Sequence, residues 1–289
     1  MSKNLLIILS VLLLLAIIVI WALLNAAQTG TDSGTLQSGS LRVDFIDVGK
    51  GDCILIRSKS HTVLIDTGYK STTKDVFGFL DASDVSKIDT LIITHYDKDH
   101  MGGAEKLLSH YSVKQLYLPD YDKDSKKFRK LIKAVEKSDI RVECVSETIT
   151  FSADRATYSV MPSGVAYDAK KENDNDMSLL VSVVYAKDSY LFTGDIEEAG
   201  IDSFLSKSGR TYDVLKIPHH GRTESNSKAL LDSVKPKYAV ITDDDDKGAD
   251  IRLCRLLKSA GVNYYCTSEN GTVTVIGNGS GNYSIKTEK

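Results

Sequence analysis

Apolar and polar positions change period several times along the chain, and each change marks an element. Residues 5–24 form an apolar run of twenty, broken only by Ser10. At ~1.5 Å of rise per residue such a helix reaches ~30 Å, the thickness of a bilayer core. The run has no polar face, which argues against a helix of a soluble core. Residues 25–40 are polar and rich in Gly, Ser and Thr, the composition of a flexible tether. From Leu41 the pattern alternates between period 2 and period 3.6. Residues 41–47, 53–57 and 62–66 read as strands of an antiparallel meander, followed by a helix over 75–82 and a buried strand over 89–94. Phe128, Leu131, Ile132 and Val135 stand at helical spacing within 125–137 and predict a surface helix. Beyond it, strands are expected at 142–145, 158–161, 179–185, 190–193, 214–217, 238–241 and 264–266, with helices at 197–208, 228–233 and 251–260. No repeat and no second linker interrupts this succession, so the expectation is one α/β domain of two packed sheet layers with outer helices. The domains are then an anchor at 1–24, a linker at 25–40 and a folded unit at 41–289.

Flanking charge orients the apolar run. Lys3 precedes it and no basic residue follows until Arg42, so the positive-inside bias keeps the N-terminus cytoplasmic and places the body of the protein outside the cell. Asn25-Ala26-Ala27-Gln28 offers no good small-x-small cleavage site, which favours an uncleaved single-pass anchor in the cell membrane over a signal peptide; cleavage would make the protein secreted. The 36 basic and 39 acidic side chains give a formal charge of −3, which argues against a dedicated electrostatic grip on nucleic acid. Lys126, Lys127, Lys130, Lys133 and Lys137 share the polar face of the 125–137 helix, and a solvated face is the expected reading over a phosphate contact. Four cysteines are too few for a disulfide framework in a domain this large. Cys53 and Cys144 read as core strand residues, whereas Cys254 and Cys266 have the placement to meet between a helix and the next strand.

The chemistry gathers where the 89–94 strand ends, at Thr94-His95-Tyr96-Asp97-Lys98-Asp99-His100-Met101-Gly102-Gly103. His95, Asp97, Asp99 and His100 are four metal-ligand types within six residues, and ligands so spaced on a tight loop can divide between two ions a few ångströms apart. Two more pieces follow strands. Asp195 in Phe-Thr-Gly-Asp is suited to bridge two cations, and His219-His220 in Lys-Ile-Pro-His-His-Gly offers paired imidazoles. Alone, Asp195 would read as a helix cap and the histidine pair as structural. All three lie at C-terminal strand ends, where α/β sheets gather their sites.

Taken in order with Phe-Ile-Asp-Val-Gly-Lys-Gly-Asp (45–52), Leu-Ile-Asp-Thr-Gly (64–68) and Asn-Asp-Met-Ser-Leu (175–179), these motifs resemble the metallo-β-lactamase superfamily. Within it, the chain is most similar to the extracellular hydrolase domain of ComEC-type DNA-uptake competence proteins. The resemblance implies an αβ/βα four-layer sandwich with a metal site at the sheet edges and two divalent ions, zinc or manganese. It further implies that His95 and Asp97 hold the first ion, Asp99 and His100 the second, with Asp195 bridging and one of His219 and His220 completing the second. Asp99 and Asp195 are the carboxylates it places in the chemistry, and Asp66 supports the ligand loop from behind.

Two departures from the family pattern matter. Asp97 stands where most of the superfamily has His, and no His precedes the Ser178-Leu179 strand, leaving Asp174, Asn175 or Asp176 to stand in. Oxygen donors shift preference towards Mn²⁺ or Mg²⁺, while imidazoles still suit zinc. In addition, Thr242-Asp243-Asp244-Asp245-Asp246-Lys247-Gly248 carries no His to meet a scissile phosphate. The expected function is an extracytoplasmic, membrane-anchored binuclear phosphodiesterase or nuclease, acting on DNA or another phosphodiester. One span cannot form the DNA channel of ComEC-type proteins. No protein partner is identifiable. The alternatives are a lactonase or ester hydrolase of the same fold and a non-catalytic, metal-stabilised surface binding module. Authentic β-lactamase activity would need three imidazoles at the first position.

Overall fold

The computed structural model describes residues 39–168, 170, 173–207, 209–246 and 248–289. The expected anchor and the linker up to residue 38 lie outside the described residues. Among the described residues no helix is long and apolar enough to cross a membrane.

The first half of the domain runs β1 (Leu41–Phe45), β2 (Ile54–Arg57), β3 (Thr62–Ile65), α1 (Thr73–Ala82), β4 (Lys87–Ile92), α2 (Ala104–His110), β5 (Ser112–Pro119), α3 (Lys126–Glu136) and β6 (Arg141–Val145). The second runs β7 (Ile149–Ala153), β8 (Ala156–Met161), β9 (Leu180–Tyr185), β10 (Asp188–Phe192), α4 (Glu198–Lys207), β11 (Val214–Lys216), α5 (Ser227–Val234), β12 (Tyr238–Ile241), α6 (Ile251–Ser259) and β13 (Asn263–Cys266). A short α7 (Thr267–Asn270) then leads back to β14 (Val273–Gly277) and β15 (Tyr283–Thr287). One sheet has the order β15-β14-β1-β2-β3-β4-β5-β6 and the other β13-β12-β11-β10-β9-β8-β7. The meander β1-β2-β3 is antiparallel, β3 to β6 are parallel, and so are β10 to β13.

Alternation explains the layers. In β3, Val63 and Ile65 face the core between the sheets while Leu64 faces the helices. In β10, Tyr190 and Phe192 enter the same central core while Leu191 faces α4 and α5. Strands buried on both faces carry near-continuous apolar runs, as these do. Phe45 and Phe192 meet across the two sheets with ring centroids 5.9 Å apart. On α3, Phe128 and Leu131 are buried with Ile132 and Val135 beside them, and Ser125 Oγ caps the helix by accepting from Phe128 N at 3.0 Å.

Several expectations need correction. Cys144 is exposed on β6, the edge strand of its sheet, so it is no core residue. Cys254 and Cys266 are free thiols. The pattern reading also omitted β5, β7, β14 and β15, of which β14 closes the sheet against β1.

Candidate metal centre

The ligand loop is built on Asp66, which ends β3 in a left-handed conformation (φ 59°) and is fully buried. Its carboxylate accepts from Thr94 N at 2.8 Å and Thr94 Oγ1 at 2.6 Å, and it lies 2.8 Å from His100 Nδ1. One aspartate thereby ties both ends of the 94–100 loop and turns Nε2 of His100 outward. Thr67 N and Oγ1 hold the carbonyl of His100 from the same side. The turn closes so tightly that a Cβ on Gly102 would sit 2.2 Å from the Lys98 carbonyl oxygen, and one on Gly103 2.6 Å from that of Thr67. Only glycine fits there.

The second sheet supplies the facing groups. Asp195 follows β10, and its N–H donates to Ser178 Oγ at 3.0 Å; the same hydroxyl lies 3.2 Å from His95 Nδ1. After β11 the chain turns through His219 and His220, both left-handed (φ 45° and 53°). That strained turn sends the neighbouring rings apart. Nδ1 of His220 donates to the Thr242 carbonyl at 2.8 Å, while its Nε2 lies 3.0 Å from Asp195 Oδ2 and 3.7 Å from Asp99 Oδ2. His219 instead places Nδ1 3.0 Å from Glu197 Oε1, outside the centre and beside Glu224. Of the two candidates, His220 is the one that converges.

A buried lysine completes the inner wall. Nζ of Lys216 is 2.7 Å from Asp52 Oδ2 and 3.3 Å from Asp195 Oδ1, and it donates to the Gly194 carbonyl at 2.9 Å. Thr242 Oγ1 donates to the other oxygen of Asp52 at 2.6 Å. Burial would raise both carboxyls. For Asp195 the His100, His220 and Lys216 charges outweigh it and hold the group well below the usual carboxylate range; for Asp52, Lys216, His100 and His220 outweigh it and lower the group. Burial also dominates at Asp66, which is raised despite His100. At His100, burial is overcome by Asp195 and Asp66, and the imidazole titrates well above its usual value. His95 is pressed down to about 3 by burial and by His100, so it faces the centre as a neutral ring.

These residues fit divalent ions. The Nε2 atoms of His95, His100 and His220 are buried and make no hydrogen bond, and the rings of His95 and His220 flank that of His100 at 4.1 and 5.3 Å. With Nδ1–H of His220 committed to a carbonyl, its Nε2 turns a lone pair towards the Asp195 carboxylate at 3.0 Å. A nitrogen and a carboxylate oxygen so placed could together hold a divalent ion. Among the described residues, the donor groups within metal-binding distance of one another include His95-His100-Asp195, Asp99-His100-His220 and Asp52-Asp66-His100, which share His100.

The other expected residues are placed differently. Asp97 pairs with Lys123, whose Nζ lies 2.5 Å from its Oδ1 and 3.1 Å from Asp174 Oδ1. Asn175 donates to Glu197 at 3.2 Å, and Asp176 accepts from Glu197 N and Gly200 N at 2.9 and 2.8 Å, capping α4 rather than facing the centre. Asp52, Lys123, Ser178, Lys216 and Thr242 were not singled out by the sequence reading. Lys216 carried a signal, a charge inside the apolar run Val214-Leu215-Lys216-Ile217.

The family model described as the metallo-beta-lactamase superfamily matches residues 46–242. ComE operon protein 3 of Bacillus subtilis (strain 168) is 28% identical over 253 residues, 80% of this chain and 32% of that protein. Recombination protein 2 of Haemophilus influenzae is 28% identical over 212 residues, 72% of this chain and 25% of that protein. The chain thus spans 25–32% of the length of these two relatives. Among solved structures, the metallo-beta-lactamase fold protein YhfI from Bacillus subtilis superposes with a TM-score of 0.58 at 14% identity, covering 83% of this chain and 100% of that one. That likeness is one of fold.

Proposed function

Because the chain belongs to the metallo-β-lactamase superfamily, we propose that it is a metal-dependent hydrolase with a binuclear centre, and that its substrate is a phosphodiester. The observation that carries this reading is the convergence of three unpartnered, buried imidazole Nε2 atoms on Asp195, with the Asp99 carboxylate beside them. In it, Asp99, His100 and His220 would hold one divalent ion, His95 and Asp97 would serve the other, and Asp195 stands where it could serve either. When bound, such ions supply Lewis acidity and activate water for attack on the substrate.

The protein's own groups orient that chemistry. Asp66 and the Thr242 carbonyl fix the rings of His100 and His220, and Ser178 sets the backbone of Asp195 against His95. Lys216 offsets the negative charge of Asp52 and Asp195 from inside the wall. A donor set rich in carboxylates favours hard, oxygen-preferring ions such as Mn²⁺, while the imidazoles also suit Zn²⁺. A phosphodiester is favoured over a lactone or ester because the chain is similar to recombination protein 2 of Haemophilus influenzae and competence protein ComA of Neisseria gonorrhoeae. The test is a panel of a generic phosphodiester, a lactone and a carboxylic ester, assayed with added Mn²⁺ or Zn²⁺ and again with chelator. Metal-dependent cleavage of the phosphodiester supports the proposal. Cleavage of lactones or esters alone replaces it with the ester-hydrolase reading, and metal binding without any hydrolysis replaces it with a binding module.

The apolar run at 5–24 and the polar segment at 25–40 support a tethered protein whose catalytic domain is extracytoplasmic. Protease added to intact cells should release the domain by cutting the tether. A mature N-terminus near Gln28 would instead mark a processed, secreted protein.

A further inference from the structure

The two metal positions are unequally prepared. Asp99, His100, His220 and Asp195 face one another, and the lysine found among them in the described residues is the buried Lys216, which sits on the far oxygen of Asp195. Around the other position, His95 and Asp195 are in place, but Asp97 is turned to Lys123 at 2.5 Å. The Lys123 ammonium also lies 3.1 Å from Asp174, so it is held between two carboxylates. Its backbone is fixed close by, since Ser125 N donates to the Lys123 carbonyl at 2.8 Å just before α3 begins. Only the flexible side chain is free to move. Asp174 Oδ1 is buried and makes no hydrogen bond, so the Lys123 ammonium is the cation placed to neutralise it.

An ammonium and a divalent ion cannot both sit on Asp97 without repelling each other. From this geometry we propose, resting on the binuclear reading above, that Lys123 is a tethered counter-ion of the outer metal position: it competes with a divalent ion for Asp97, so the centre loads in two steps of unequal affinity. The first ion takes Asp99, His100, His220 and Asp195. The second enters with His95 and Asp195 and is complete only when Asp97 exchanges Lys123 for the ion, the ammonium withdrawing onto Asp174. Asp174, expected from the sequence as a stand-in ligand, becomes the acceptor that makes this withdrawal favourable.

The two carboxylates flanking Lys123 therefore have opposite effects, which gives the proposal a directional test. The full chain, stripped of metal, is titrated calorimetrically with Mn²⁺ and the bound ion is counted by equilibrium dialysis, with no substrate present. The wild type should bind two ions in separate steps. In Lys123→Met the second step should tighten by roughly tenfold or more while the first is unchanged, since one partner of a partly buried ion pair has been removed. Lys123→Gln, which keeps a polar head, should change it in the same direction and guards against a packing artefact. Asp174→Asn should weaken the second step, because the displaced ammonium loses its alternative carboxylate. A second step equally tight in wild type and both Lys123 variants overturns the proposal and leaves the binuclear reading standing. Failure of the wild type to bind any Mn²⁺ overturns both.

Discussion

Lys216 and Asp52 form an ion pair at 2.7 Å with side chains 0% and 1% exposed. One comes from the end of β11 in one sheet, the other from the β1–β2 connection in the other, so this contact joins the two sheets at the floor of the metal centre. Neither charge has water to solvate it. Each is held by the other and by Thr242, Gly194 and Asp195 around them.

Replacing Lys216 with Met should therefore expose the cost of two uncompensated buried carboxylates. In chelator, Lys216→Met is expected to lose about 3–5 kcal/mol of stability. Saturating Mn²⁺ should restore part of that loss, because an ion at Asp195 supplies the missing positive charge and binds only the folded chain. Denaturant melts with and without the ion measure both quantities; a variant as stable as wild type in chelator contradicts the ion-pair account.

The divergence of His219 and His220 separates two variants that look alike in sequence. His220→Ala removes a donor 3.0 Å from Asp195 and should abolish tight binding of one divalent ion. His219→Ala breaks a contact with Glu197 outside the centre and should leave ion stoichiometry unchanged. Metal analysis of the two purified variants decides this.

Away from the centre, His61 links the sheets by packing its ring against Phe151 and Tyr158. Burial lowers its pKa below 6.5, with Asp89 offsetting part of the effect. The unfolded chain then binds a proton that the fold resists. The contribution of His61 is complete above pH 6.5 and is lost as the pH falls below it. Comparing denaturant unfolding at about pH 5 and about pH 7.5, the decline should be smaller in His61→Gln than in wild type.

How far the chain could be read before its structure depended on whether the signal was local. The strands that alternate between two cores, such as Val63-Leu64-Ile65 and Tyr190-Leu191-Phe192, were visible because their period and apolar content lie in consecutive residues. β7 and β15 are edge strands with no fully buried residue, each alternating partly buried with exposed positions, Thr150 and Ser152 in β7 and Ser284 and Lys286 in β15, so their apolar signal is weak. In the centre, His95, Asp99, His100 and Asp195 were legible from spacing and strand-end position. The choice of His220 over His219 was not, because it depends on two successive left-handed residues that sequence does not mark. The same holds for Lys123, whose pairing with Asp97 reaches across the intervening α2 and β5. Asp174, Asn175 and Asp176 could not be told apart in sequence, because capping α4, as Asp176 does, and facing a metal call for the same carboxylate just before a turn.

The shared carboxylate offers the most direct test of the central claim. Asp195→Asn keeps the volume of the side chain but removes the charge on which His100 and His220 converge at 3.1 and 3.0 Å. The measurement is the hydrolysis rate of a generic phosphodiester by the full chain, with saturating Mn²⁺ or Zn²⁺ and with chelator, for wild type and this variant, with bound metal counted in the same samples. The expected result is metal-dependent hydrolysis by the wild type, abolished in chelator and lower by roughly two to three orders of magnitude in the folded variant. Hydrolysis by Asp195→Asn at the wild-type rate, or a wild-type rate indifferent to chelator, would contradict it.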